Sequence, residues 1–107
     1  MTRFRLRFLL QEFDLTGPEV VIGRSSECQI TIEDPLMSSK HARVLIQGDE
    51  ATISDLGSRN GVRVNGRLTK GEHVLKDGDR IRLGTQELLF SVVGRMERAP
   101  RPTGYMK

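Results

Sequence analysis

The chain has 107 residues, 36% of them hydrophobic and 29% charged, a size that supports one domain and leaves two separate cores marginal. No apolar run is long enough for a membrane-spanning helix, and the opening MTRFRLRFLL lacks the apolar stretch of a signal peptide, so a cytoplasmic protein is expected. The net charge of +3 is local: four of the 17 basic and one of the 14 acidic residues fall within 94–107, which leaves positions 1–93 neutral and argues against a nucleic-acid surface.

Up to Val93 the chain reads as short segments of period-two alternation separated by glycine-rich or acidic turns, the pattern of an all-β sandwich or barrel. RFRLRFL places Phe4, Leu6 and Phe8 on one face of a first strand and Arg3, Arg5 and Arg7 on a solvated face. EVVIG, CQITI, HARVLI, EATIS, VRVN, HVL, DRIRLG and ELLFSVV follow as further strands. Val44, Ile46, Ile53, Val62, Val64, Ile81, Leu83, Leu88, Phe90 and Val92 are the expected inward positions. Their connectors QGDE, Asn60-Gly61, Asn65-Gly66 and KDGD each supply a glycine for a tight reversal. From Gly94 the composition shifts to GRMERAPRPTGYMK, which reads as a flexible basic tail or linker over 94–107.

The single cysteine, Cys28, allows no internal disulfide and reads as a small buried residue, so neither redox chemistry nor a thiolate metal site is expected. Arg24 follows Gly23 at a strand end, where its planar fork suits a phosphate or simply faces solvent. The knot LMSSKHARV sets Ser38, Ser39 and Lys40 in one loop, two hydroxyls and a point charge that would together hold an anion or form a plain polar turn. His41 is read as fixing that loop through its ring nitrogens. In SDLGSRNGVRVNG, Ser58, Arg59 and Asn60 precede a reversal at Gly61, and the Asn60 amide has both the donor and the acceptor to pair with an extended peptide. Asn65-Gly66 reads as a simple hairpin turn. Two histidines and scattered turn carboxylates make no triad or metal spacing, so no catalytic residue, metal or cofactor is expected.

Taken together, GRS at 23–25, SSKHA at 38–42, DLGSRNGVRVNG at 55–66 and LKDGDRIRLG at 75–84 resemble the forkhead-associated domain family in order and spacing, over most of positions 3–93. The resemblance implies a sandwich of two twisted, mostly antiparallel sheets with ten or eleven short strands, whose loops at one end bind phosphothreonine in an extended peptide. By position, Arg24 is similar to the family arginine that holds the phosphate and Ser38 to the serine that hydrogen-bonds it. Ser39, Lys40 and Arg59 match neighbouring phosphate or peptide contacts, and Asn60 matches the asparagine that pairs with the ligand backbone. Gly23, His41, Gly61, Asn65 and Gly66 match residues that shape the loops. The chain departs from the family's frequent arginine at Ser39 and frequent threonine at Val62.

The resemblance therefore implies a module that binds a phosphothreonine-containing protein, the target of a Ser/Thr kinase; a monomer is the default expectation, and the residues and charge point to no enzyme and to neither nucleic acid nor membrane as partner. The rival readings are a phospho-independent interaction domain on the same scaffold and, less favoured, a nucleic-acid binder using the arginine stripe. Thr103 in the tail and Thr2 at the start are candidate phosphorylation sites through which the chain would dock on itself or a neighbour; the alternative is a plain linker.

Overall fold

Alternation becomes a strand when one side chain of each pair is buried and the other solvated, and the structure follows that rule through most of the chain. The computed structural model describes residues 2–69 and 71–95, which contain strands and turns and no helix. The strands are β1 (Thr2–Phe8), β2 (Gln11–Asp14), β3 (Glu19–Gly23), β4 (Ile30–Thr31), β5 (Ala42–Gln47) and β6 (Glu50–Asp55), then β7 (Val62–Val64), β8 (Arg67–Leu68), β9 (Glu72–Val74), β10 (Arg80–Leu83) and β11 (Gln86–Arg95). They form a six-stranded sheet in the order β2-β1-β11-β10-β7-β8 and a five-stranded sheet in the order β4-β3-β5-β6-β9. Every pairing is antiparallel except β3 with β4. The protein is an all-β sandwich.

One core fills the space between the sheets. Leu6, Ile81, Leu83, Leu88 and Phe90 enter from the first sheet and Ile22, Val44 and Ile53 from the second, all fully buried. The Phe4 and Phe90 rings stack with centroids 5.5 Å apart. Burying one such side chain contributes about 1.5–3 kcal/mol, so the two inner faces hold the sheets together and leave the loops free to carry other residues.

The structure corrects several expectations. Phe8, Ile46 and Val92 pack against the core as expected, but are only partly buried. Of the segment 28–32 only Ile30–Thr31 pairs as a strand. Cys28 donates its amide to the Ser25 carbonyl, and the Thr31 hydroxyl bonds the Ser25 and Cys28 carbonyls, which winds the preceding residues into a loop. His41 precedes β5 rather than opening it. Two edge strands, β2 and β8, were not expected from QEFD and RL, since neither alternates over enough residues.

The strand β2 also changes the arginine face. Arg5 Nε donates to Asp14 at 2.9 Å and its guanidinium lies 3.3 Å from Glu12, while Arg3 is 3.8 Å from Asp14. The expected solvated stripe is thus partly ion-paired. Thr2, expected to be an accessible modification site, is buried opposite Arg95 and hydrogen-bonds Asp49. β11 runs to Arg95, two residues beyond the expected boundary at 93. The rest of the predicted tail, Thr103 included, lies outside the described residues.

Candidate functional site

Three connections meet at one end of the sandwich: 24–29 between β3 and β4, 32–41 between β4 and β5, and 56–61 between β6 and β7. The first two are pressed together at Gly23. A Cβ on Gly23 would lie 2.2 Å from the Ser39 carbonyl oxygen and 3.0 Å from Cys28 Sγ. Its backbone angle is ordinary, so the requirement for glycine is one of space. The approach lets Arg24 N donate to Ser38 O at 3.0 Å and Ser25 N to Ser39 O at 3.1 Å. Cys28 is buried as expected; its Sγ donates to the same Ser39 oxygen at 3.2 Å, and burial pushes the thiol pKa up.

His41 joins the second loop to the third. It is fully buried, and its Nδ1 accepts from Ser38 N at 3.1 Å. Because Nδ1 is the acceptor, Nε2 carries the proton and donates to Gly61 O at 2.7 Å. Beside it, Ser38 Oγ accepts from Arg59 N at 3.1 Å, which leaves the hydroxyl proton free to donate elsewhere. Asn60 Nδ2 donates to Leu36 O at 2.7 Å, so one of its two N–H groups serves the loop and the carboxamide oxygen remains open to a ligand. Gly61 takes the left-handed angle the reversal needs, with φ of 80°.

These contacts enclose a cleft of about 110 Å³, the room of roughly three or four waters at about 30 Å³ each, lined by Arg24, Pro35, Leu36, Met37, Ser38, Ser39 and Arg59. Arg24 and Arg59 are both exposed at its rim, and neither forms an ion pair among the described residues. Two guanidinium groups and a free hydroxyl proton at a small polar hollow make a receptor for a compact anion bearing several oxygens. Lys40 is not in the lining; its Nζ lies 4.0 Å from Glu27. Asn65 and Gly66 sit at the far end of β7, with φ of 53° and 85°, and form the hairpin turn to β8. Asn65 also clamps the next connection, donating to Asp79 at 2.9 Å and accepting from Arg80 N at 3.0 Å. Val62 is a fully buried core residue rather than a lining one.

The structure gives roles to Asp34 and Asp55, which sequence reasoning passed over, and to Ser58, which it placed only before the reversal. Asp34, buried at 3% exposure, accepts from Leu36 N, Thr85 N and Thr85 Oγ1 at 2.7–3.0 Å and so pins the second loop to the β10–β11 turn. The Thr85 hydroxyl first, then the two backbone amides, hold its carboxyl at a pKa of about 2. Ser58 Oγ accepts from Gly61 N, and Asp55 accepts from Ser58 N, which closes the third loop on itself. The Asp-Pro pair and the Asp55–Ser58 spacing are turn signals in the sequence, but the partner of Asp34 is 51 residues away.

This loop arrangement has counterparts. The sequence model of the FHA domain family matches residues 20–84. The chain belongs to the FHA domain family. As an FHA domain it is similar to the oxoglutarate dehydrogenase inhibitor of Corynebacterium efficiens, 37% identical over 84 residues that make up 78% of this chain and 55% of the relative. The glycogen accumulation regulator GarA of Mycolicibacterium smegmatis is 34% identical over 84 residues, 78% of this chain and 49% of that one. The chain thus spans about half the length of these relatives. Among solved structures, an FHA domain from an analysis of phosphothreonine-dependent interactions superposes with a TM-score of 0.80 at 31% identity, covering 84% of this chain and 96% of that one. The FhaA FHA domain complexed with the intracellular domain of Rv3910 gives 0.77 at 31% identity, over 81% of this chain and 98% of that one.

Proposed function

We propose that this FHA domain is a phosphothreonine-peptide recognition module that joins proteins in a phosphorylation-dependent way, acting in the cytoplasm as a non-catalytic monomer. The cleft between Arg24, Ser38 and Arg59 carries the reading. A phosphothreonine brings about −1.5 to −2 charge and three acceptor oxygens, which match two guanidinium forks and the free Ser38 proton. The rigidity of the cleft supports affinity, because Gly23, His41 and Asn60 have already ordered the loops before a ligand arrives. The Asn60 oxygen then accepts from the ligand's main chain beside the phosphorylated residue. The partner is a protein phosphorylated by a Ser/Thr kinase.

Hydrogen bonds involving charged groups contribute about 1.5–3 kcal/mol each, and about 1.4 kcal/mol is a factor of ten in affinity. Arg24→Ala should therefore weaken phosphopeptide binding at least about tenfold while leaving the fold intact. Fluorescence anisotropy against phosphothreonine, phosphoserine and unmodified threonine peptides tests the reading. Binding confined to the phosphothreonine set supports it, and equal binding across the three sets sinks it.

A further inference from the structure

Two features on the outer face of the six-stranded sheet work against folding. In the β7–β10 register Arg82 lies directly opposite Arg63, a position in which like charges repel, while its neighbour across the β10–β11 register is Glu87. Arg80, on the same face of β10, joins them around a hollow of about 560 Å³ in which Glu87 is the one acidic lining residue. Arg63 and Arg82 form no ion pair among the described residues, and Arg80 is 3.9 Å from Glu87. On β1, Arg3 and Arg5 have Asp14 as a partner, whereas Arg7 has no ion pair among the described residues and lines a hollow with Leu9 and Arg80.

The second feature is the turn between β1 and β2. It consists of Leu9 and Leu10, of which Leu9 takes a positive φ where glycine or asparagine is the usual residue. Leu9 has a φ of 57°, and the two side chains are 71% and 95% exposed. Leu9 lines one hollow together with Arg80 and Glu87, so the turn and the arginines border a single surface. The hollow between Arg63, Arg80 and Arg82 reaches the far end of β7 at Asn65 and Gly66, and Arg63 is its lining residue nearest in sequence to the phosphate-cleft loop. Leu68, paired with Arg63, lies over Gly61, and Arg63 follows Asn60 by three residues, about 10 Å of extended chain.

We propose that this face is a second docking surface for an acidic segment of the phosphorylated partner, with Arg63, Arg80 and Arg82 taking its carboxylates and the Leu9–Leu10 turn its apolar residues. The proposal rests on the phosphothreonine reading for the partner's first anchor. A concave lining admits separate carboxylate side chains, which a flat lipid surface cannot place inside it.

The test uses the full chain and alanine-framed phosphothreonine peptides carrying a block of glutamates or glutamines on either side. The glutamate form should bind about fivefold tighter on one side, with the gain falling as salt rises. R63Q/R82Q should abolish that gain and leave the short phosphopeptide's affinity unchanged. Equal affinities of the two forms, or a gain kept by the double variant, overturn the proposal. If no phosphopeptide binds the native chain, the phosphothreonine reading alone has failed. An NMR titration with the unphosphorylated glutamate peptide then decides: shifts at Arg63 and Arg82 support the acidic-segment surface, and their absence overturns it. Binding of phosphatidylserine vesicles through the same arginines, without such shifts, also overturns it. L9G/L10N should raise Tm and reduce the glutamate preference; an unchanged preference removes the turn from the surface.

Discussion

Gly23→Ala tests the construction of the cleft with one methyl group. The new Cβ would meet the Ser39 carbonyl oxygen at 2.2 Å and its carbon at 2.8 Å, both backbone atoms that cannot rotate away. Bringing the oxygen out to 3.0 Å requires at least 0.8 Å of loop movement. The same oxygen accepts from Ser25 N at 3.1 Å and from Cys28 Sγ at 3.2 Å, so the movement breaks or bends both bonds. Overpacking costs about 1–3 kcal/mol and a lost hydrogen bond about 1, for a total of about 2–4 kcal/mol. At about 4–8 °C per kcal/mol for a domain of this size, Tm should fall by roughly 8–32 °C. Urea and thermal unfolding measure it, with Gly94→Ala as the control, since nothing lies within 4 Å of a Cβ there. Phosphopeptide affinity should fall as well, because Arg24 and Ser38 are held together by the displaced loops. A Gly23→Ala protein with the native Tm and affinity would refute the space argument.

His41→Ala leaves Ser38 N and Gly61 O without their buried partner at about 1–3 kcal/mol each, so the urea midpoint should drop by the equivalent of about 2–6 kcal/mol, and further for the cavity. Asp34 has a pKa of about 2 in the folded chain against an ordinary 3.8, so the unfolded chain takes up its proton first. Its contribution should be complete above about pH 4–5 and fade as pH falls through 2, and urea midpoints at pH 5, 3 and 2 should decline more steeply in the native chain than in Asp34→Asn. An equal decline in both would remove Asp34 as the cause. Asn65→Ala gives up the left-handed residue and two hydrogen bonds, about 2–3 kcal/mol, yet should leave phosphopeptide affinity unchanged because the turn is at the other end of β7. Asn65→Gly should recover the backbone part.

Strand identity and facing were legible along the chain because they depend on neighbours two residues apart. Phe4 and Leu6 against Arg3 and Arg5, or Ile81 and Leu83 against Arg80 and Arg82, already state which side is core. The turn at Asn65-Gly66 was equally local, since both residues tolerate the positive φ they adopt. Arg24, Ser38 and Asn60 were found as residue types at a spacing; the fold brought Arg24 and Ser38 to one hollow and tied Asn60 to Leu36 in its wall. Tertiary structure alone decided that Gly23 must be glycine at an ordinary φ, that Asp34 is tied to Thr85, and that His41 is protonated on Nε2. It also decided that Lys40 turns toward Glu27 and that β2 neutralises part of the arginine face. Propensity and alternation are properties of short segments, whereas these contacts arise when loops from distant segments are brought within hydrogen-bond range by the packing of the two sheets.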